Sequence, residues 1–281
     1  MKKNNLEVLK PQMAGVLYPN NSEVLLKDLD VLFRENNLKN NIKNNLDKIP
    51  KALIIPHGGF LYSGKIAALA FNLLNNLSPK EKSKIKNMII LAPAHQLSFS
   101  GIATHQAHYF STPLGELELD QDKISELFQI PDLSYLDLAF TKEHTIEMAL
   151  PFVQYVFGSE NIFILPFIIG ECASQSVLDL LELLDNLDNS SENLIIVSSD
   201  LSHYQPYSIA KEQDQSTCEQ ITNKKWQEIS QDDACGDVSI RALLQYAQKK
   251  SWTAGCLDLK NSGDITGDKD KVVGYGAFYF Y

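Results

Sequence analysis

The sequence predicts an α/β protein with a single domain, in which a central mixed β-sheet is flanked by helices on both faces. Short apolar runs alternate along the chain with segments whose apolar residues recur at the 3.6-residue period of a helix. The runs are apolar at consecutive positions, which is typical of strands covered on both sides. No internal repeat and no Pro/Gly/Ser-rich linker divides the chain, so we expect one domain over 1–281 with its core at about 12–281.

The individual elements follow from local patterns, in chain order. Ser22, after the Tyr18-Pro19 turn, is expected to cap a first helix, and the polar run 36–50 reads as a helix end or a loop. A second helix is expected over 63–77, capped by Ser63, and a third over 176–189. Buried strands are predicted at 51–56, 87–93, 160–170, 193–199 and 271–281. Segment 101–120 reads as two strands joined by a Thr-Pro-Leu-Gly turn, so part of the sheet should be antiparallel.

Composition excludes several classes of protein. The formal charge is −10 and the lysines are scattered, which argues against a nucleic-acid partner. No apolar stretch approaches the roughly 18–20 residues of a membrane span, and the start shows no secretory signal, so we expect a cytoplasmic protein with no membrane contact. The four cysteines form no C-x-x-C pair, and disulfides are not expected in that compartment.

Three predicted strands each lead into a histidine. His57 follows strand 51–56, His95 follows strand 87–93, and His203 follows strand 193–199 together with Asp200. Ligands in open α/β sheets bind beyond the carboxyl ends of the strands, and neutral imidazole binds zinc, copper and iron. The pattern therefore indicates a metal site whose third protein ligand could be a thiolate, a carboxylate or another imidazole. A single strand-end histidine is more often structural, and Asp200 could simply cap the helix that follows.

Two further residues are candidates for the same pocket. Cys235 opens a helix that runs to Lys250, a position that lowers the pKa of a thiol and prepares it for metal binding or nucleophilic attack. His144 precedes Glu147 by three residues, but Pro151 fits only a first helical turn, so we place His144 on the loop leading in. His105 and His108 are expected on opposite faces of one strand and receive less weight.

The chain resembles the Memo family, which includes the proteins of the AmmeMemoRadiSam system protein B group. The resemblance runs from about residue 12 to 281 through motifs that occur in order and with similar spacing. These motifs are AGVLYP, IIPHGGFLYSG, LAPAHQL, STPLGELELD, EHTIEMALPF, ILPFIIG, IVSSDLSHY, ACG and GYGAF.

The resemblance implies a fold similar to class III extradiol (LigB-type) dioxygenases and assigns roles by position. His57, His95 and Cys235 match the family's metal ligands, and His144, Asp200 and His203 match its further pocket residues, which we expect to be catalytic. Iron as Fe²⁺ is the expected metal, with copper or zinc as alternatives. In the related dioxygenases a carboxylate replaces the cysteine. This chain departs from the common family pattern at the pocket rim, at Leu17, Gln96, Tyr204 and Ser239.

Three functions remain open at this stage. The first is a metal-dependent oxidoreductase of dioxygenase type with an unidentified small-molecule substrate. The second is a non-catalytic module that binds a peptide, or radical-SAM and AMMECR1-like partner proteins, through the same pocket. The third is a metal-free thiol hydrolase with Cys235 as nucleophile, His203 as base and Asp200 as the residue that orients the base.

Overall fold

The structure is a computed structural model that describes residues 6–35, 49–187 and 192–281. Within these ranges twelve strands form one sheet. The strands are β1 (Val8–Leu9), β2 (Ala52–Ile55), β3 (Asn87–Pro93), β4 (Ile102–Thr104), β5 (Tyr109–Thr112), β6 (Gly115–Leu119), β7 (Leu133–Tyr135), β8 (Phe163–Ile169), β9 (Asn193–Ser198), β10 (His203–Gln205), β11 (Ala254–Asn261) and β12 (Val272–Phe280).

Helices flank this sheet. They are α1 (Ser22–Glu35), α2 (Phe60–Asn75), α3 (Pro79–Lys82), α4 (Gln121–Glu126), α5 (Leu150–Phe157), α6 (Ser174–Leu187), α7 (Tyr207–Thr222), α8 (Asp237–Lys249) and α9 (Gly263–Thr266). Helices α1, α2 and α5 pack together, and α2 also contacts β2, β11 and β12. Helix α6 packs on α8, which contacts β3.

The centre of the sheet is parallel and its margins are mixed. Strands β8, β3, β9 and β2 lie side by side and run parallel, so their carboxyl ends share one edge. Strand β12 pairs antiparallel with β2, and β5 with β6. Every residue of β2 and β3 is buried although successive side chains point to opposite faces, so both faces of the sheet are covered. The predicted fold class is confirmed.

Two predicted helix caps are wrong, the first by one residue and the second by four. The side chain of Asn21, and not that of Ser22, accepts the first hydrogen bonds of α1, from the backbone N–H groups of Glu23 and Val24. Helix α2 begins at Phe60, and Ser63 lies inside it, donating its hydroxyl to the carbonyl of Gly58. The apolar period of α2 begins one turn before Ser63, the residue predicted to cap it.

The segment 101–120 contains three strands, where two were predicted. Strand β4 pairs with β7 and β8, while β5 and β6 form the antiparallel hairpin whose turn is Thr-Pro-Leu-Gly. The prediction missed that the chain leaves the sheet between β4 and β5. The predicted connection over 36–50 lies almost entirely outside the described residues.

A buried carboxylate fixes the N-terminal segment to the loop before α5. Glu147 accepts the backbone N–H groups of Gln12 and Met13 at 2.8 and 2.9 Å, and the hydroxyl of Tyr18 at 2.6 Å. The Gln12 side chain donates to the carbonyl of Phe140 at 2.7 Å and accepts the backbone N–H of Lys142 at 2.5 Å. Breaking these bonds would leave buried polar groups without partners, which is costly. They therefore hold residues 12–18 against the loop that carries His144.

Gly101 allows β4 to approach the turn before β7. Its φ is +94°, and a Cβ at this position would lie 2.4 Å from the carbonyl oxygen of Asp132. Gly101→Ala should therefore lower the free energy of unfolding by about 3 kcal/mol, since backbone strain and overlap add. Gly267→Ala is the matched control: its φ is +78° with nothing within 4 Å, so only the strain of about 1 kcal/mol remains. Urea unfolding of both variants measures the difference, and equal losses would contradict the steric explanation.

Candidate metal centre

The parallel strand ends bring the predicted residues together. His57 follows β2, His95 follows β3 and Asp200 follows β9, while Cys235 arrives from the turn before α8. One ligand atom from each of His57, His95 and Cys235 lies within 4.8 Å of the other two. The imidazole of His144 packs against both histidines, with ring centroids 5.3 Å from His57 and 5.5 Å from His95.

The ring of His57 is held in one orientation. It is buried, and its Nδ1 lies 3.0 Å from the hydroxyl oxygen of Ser198. The Ser198 hydroxyl donates its own proton to the carbonyl of Thr145 at 2.6 Å. Its oxygen therefore accepts from His57, so Nδ1 carries the proton. The lone pair of Nε2 then faces Cys235 Sγ, 3.5 Å away, which is the tautomer a metal-binding histidine needs.

Glu143 organises the other two histidines. Its carboxylate accepts the backbone N–H groups of His95 (2.6 Å), His144 (2.9 Å) and Thr145 (3.2 Å). It also lies 3.6 Å from His95 Nδ1 and 3.4 Å from His144 Nδ1. Burial raises the pKa of Glu143, but the hydrogen bonds and charge of His95 and the Thr145 N–H outweigh it and lower that pKa to about 2. Glu143 is thus a fixed anion beneath both rings.

Cys235 is held against the end of β9. The backbone N–H of Asp200 points to Sγ at 3.3 Å, and the Ser199 hydroxyl lies 3.8 Å from it. Gly236 is required here, because a Cβ would lie 2.8 Å from the Cβ of Ser199. The prediction that the helix terminus lowers the thiol pKa is wrong: burial, followed by the negative charge of Asp200, raises the pKa of Cys235 to about 12. A bound cation would stabilise the thiolate against both effects.

Asp200 and His203 lie beside the ligands. The backbone N–H of His57 donates to Asp200 Oδ1 at 2.9 Å, and Oδ2 lies 3.8 Å from His57 Nε2. Burial raises the pKa of Asp200 despite that bond. His203 Nδ1 donates to the carbonyl of Leu201 at 2.8 Å, which leaves its Nε2 for a proton. All six predicted site residues therefore occupy one region.

A cleft of about 550 Å³ opens beside the ligand set. His95 and Cys235 form part of its wall, and His95 keeps 30% of its side chain exposed. Two of the positions that depart from the family pattern, Gln96 and Ser239, also line it. No lysine or arginine does so among the described residues. A substrate could reach the ligand set from this side.

Sequence reasoning missed two residues of the site and misplaced two others. Glu143 and Ser198 are the neighbours of predicted residues, but only the tertiary hydrogen bonds reveal their roles. His105 and His108 lie in the connection between β4 and β5, so the prediction that they occupy opposite faces of one strand is wrong. His105 Nδ1 accepts the backbone N–H of Ala107, and neither histidine belongs to the two ligand groups found among the described residues.

Two overlapping groups of side chains could hold a metal: His57, His95 and Cys235, or His95, Glu143 and His144. The carboxylate of Glu143 already accepts three backbone N–H groups, so it is better suited to hold the neighbouring histidines in place than to bind a metal. The first group offers two imidazoles and a thiolate, a set that iron, copper and zinc all accept. Its chemistry fits a metal.

Asp214 supports the loop that carries Asp200 and His203, because it accepts the backbone N–H of Ser202 at 3.0 Å. Burial raises its pKa from 3.8 to about 6. Above about pH 6 Asp214 is charged in the folded protein, and its burial then lowers the free energy of unfolding. As the pH falls from about 6 to about 4, Asp214 takes up a proton in the folded protein before it does so in the unfolded chain, and the lost stability is regained. Asp214→Asn should be up to about 3 kcal/mol more stable than wild type near neutral pH, with the difference vanishing below about pH 4.

Thermal unfolding of both proteins across this pH range measures that difference. Asp264→Asn is the control of opposite sign, since Asp264 and Asp214 line one cavity between α7 and β11. Burial raises the pKa of Asp264, but hydrogen bonds from Asn261 and Tyr207 outweigh it and lower the pKa. A pH-independent difference between Asp214→Asn and wild type would contradict the assignment.

The chain is thus an α/β protein whose parallel strand ends gather histidines and a cysteine beside a cleft. The chain belongs to the Memo family: the family model described as Memo-like protein matches residues 10–279.

Relatives of the same name cover nearly the whole chain. A MEMO1 family protein of Thermoplasma volcanium is 29% identical over 96% of this chain and 97% of its own, and one of Methanobrevibacter smithii is 32% identical over 96% and 99%. A solved structure of an uncharacterized Escherichia coli K12 protein aligns with a TM-score of 0.48 and 12% identity, over 82% of this chain and 99% of that one. Among the described residues no helix is long and apolar enough to cross a bilayer.

Proposed function

We propose that this Memo-like protein is a metal-dependent oxidoreductase of dioxygenase type, with iron as Fe²⁺ its metal and copper or zinc as alternatives. The observation that carries the proposal is the His57, His95 and Cys235 set, whose ligand atoms lie within 4.8 Å beside an open cleft. A site closed by four protein ligands is typical of structural metals, whereas three ligands and a cleft are typical of catalytic ones.

Each neighbouring residue then has a role that its contacts support. Ser198 keeps Nε2 of His57 unprotonated, and the N–H of Asp200 donates to the sulfur of Cys235. The carboxylate of Glu143 accepts the backbone N–H of His95, which holds His95 in place, and it also faces the ring of His144. When bound, ferrous iron supplies open positions for oxygen and substrate. His144, with 23% of its side chain exposed, is placed to accept a substrate proton, and Asp200 and His203 to pass protons on.

Anaerobic reconstitution with Fe²⁺ tests this proposal, with oxygen uptake measured on addition of catechol as a probe. We expect uptake by the wild-type protein and none above background for His95→Ala. His144→Phe should keep its iron and lose about 100-fold or more of the rate, since general acid–base catalysis contributes that much. If His95→Ala and wild type consume oxygen equally, the proposal fails.

The second candidate is a non-catalytic binding module, which the size and polarity of the cleft support. At about 550 Å³ it can receive a peptide side chain as well as a small molecule. The partners suggested by the family resemblance are radical-SAM and AMMECR1-like proteins. Pull-down with wild type and with His57→Ala separates the two functions: partner capture that survives loss of the metal ligand favours the module.

The geometry gives the thiol hydrolase little support. Cys235 Sγ is 3.5 Å from His57 Nε2, and no hydrogen bond joins it to His203 among the described contacts. Burial also raises the pKa of Cys235, which opposes a nucleophilic thiolate without a metal.

A further inference from the structure

A second pair of cysteines lies outside the candidate metal centre. Cys218 on α7 and Cys256 on β11 line the same cavity. The two elements pack directly against each other, so the pair bridges the surface of the sheet and the helix that covers it. Neither residue forms a disulfide in the structure. Neither belongs to the pocket of His57, His95 and Cys235.

The pair opens into its own cavity of about 390 Å³. Lys211, Gln215 and Cys218 line one wall at helical spacing, and Cys256 and Lys260 lie on the β11 side. Cys218 is 8% exposed, so the cavity is its route to solutes. Lysines on both walls favour a thiolate there, while Asp214, Asp258 and Asp264 oppose it.

The two thiols differ in their surroundings. The side-chain contact with Cys256 lowers the pKa of Cys218, an effect larger than the opposing burial. Cys256 Sγ lies 3.8 Å from the carbonyl oxygen of Asp258, to which it donates. Cys218 is therefore the thiol of the pair to which we assign the first attack. By contrast, burial raises the pKa of Cys172 to about 11. A third ligand is missing: the only groups of three metal-binding side chains among the described residues lie elsewhere. The arrangement suits thiol oxidation better than a metal.

We propose that Cys218 and Cys256 form an oxidisable thiol pair that closes to a disulfide on reaction with a hydroperoxide. The Cys218 thiolate attacks the peroxide, an S–O bond forms as the O–O bond breaks, and the leaving oxygen takes a proton and departs as alcohol or water. Cys256 then loses its proton and attacks the resulting sulfenic sulfur. The S–S bond forms, the S–O bond breaks and water leaves. Two thiols are oxidised and one peroxide is reduced.

Peptide mapping by mass spectrometry tests this pairing. The protein carries His95→Ala, so that metal at the candidate centre cannot generate oxidants, and it is treated with about one equivalent of hydrogen peroxide before alkylation under denaturing conditions. The expected product is a Cys218–Cys256 linked peptide. Adding Cys256→Ser should abolish the link and leave a sulfenic acid at Cys218 that dimedone captures. Adding Cys172→Ser should change nothing.

Two results would overturn the proposal. One is full alkylation of Cys218 and Cys256 while Cys172 or Cys235 is oxidised. The other is equal dimedone labelling of Cys218 with and without Cys256, since a resolving thiol must suppress it. Folding is checked by circular dichroism of each variant. The outcome is independent of the proposed oxidoreductase activity, because the background variant lacks one of its ligands.

Discussion

Cys235→Ser should lower the affinity of the protein for Fe²⁺ and for Cu⁺ by at least about 100-fold, because the hydroxyl that replaces the thiolate is neutral and a poor ligand for soft metals. The loss should exceed the roughly 10–100-fold typical of changing a residue that only hydrogen-bonds to a metal ligand. Sulfur also accepts the N–H of Asp200, so serine leaves that contact weaker. Competition with a chromophoric chelator under anaerobic conditions gives the affinity, and elemental analysis of the protein as purified gives the occupancy.

Cys172→Ser is the matched control for this experiment. Cys172 lines the same cleft and is likewise partly buried, but it does not belong to the ligand group. It should keep the wild-type affinity within about 2-fold. If both variants lose metal equally, or neither loses any, the three-ligand site is wrong and the oxidoreductase proposal falls with it.

Glu143→Gln is expected to reduce both stability and metal affinity. The carboxylate accepts backbone N–H groups at both of its oxygens, and an amide must turn its NH₂ toward one of those donors. A buried donor without an acceptor costs about 1–3 kcal/mol, and the repulsion between the amide NH₂ and the backbone N–H adds to that cost. Because His95 is held through its backbone by Glu143, the affinity for metal should fall by about 10–100-fold. Urea unfolding and chelator competition measure the two effects.

Glu147→Gln is the control that separates the loss of stability from the loss of metal affinity. Glu147 is equally buried and also accepts backbone N–H groups, but from Gln12 and Met13, and it touches neither histidine. This variant should lose a similar amount of stability and retain metal affinity in the folded protein. A loss of metal affinity as large as that of Glu143→Gln would show that Glu143 acts only by stabilising the fold.

The convergence of His57, His95 and Asp200 could be predicted from the sequence, because parallel strands place their carboxyl ends at one edge. The roles of Glu143 and Ser198 could not, because they depend on tertiary contacts. Glu143 accepts the backbone N–H of His95, and Ser198 contacts the ring of His57. The position of Cys235 at a helix N-terminus predicts a lowered pKa, whereas the folded protein raises it. Desolvation in the pocket outweighs the field of the helix end.

The errors in the fold have a common origin. Asn21 and Ser22 are both good caps, and which one the helix uses depends on the path of the preceding chain. Between β4 and β5 the chain leaves the sheet, and no turn signal marks that departure. Periodicity therefore located the elements, while their ends required tertiary contacts.

The bonds of Gln12 to the loop at Phe140 and Lys142 make the N-terminal segment part of the same cooperative unit as the histidine loop. Amides of 143–145 and of 12–18 should therefore exchange with solvent in a single opening event. A fusion partner or a truncation that strains this segment would release the loop of His144 with it. The proton transfer that we propose for His144 would then respond to changes in the N-terminal segment, far away in the sequence.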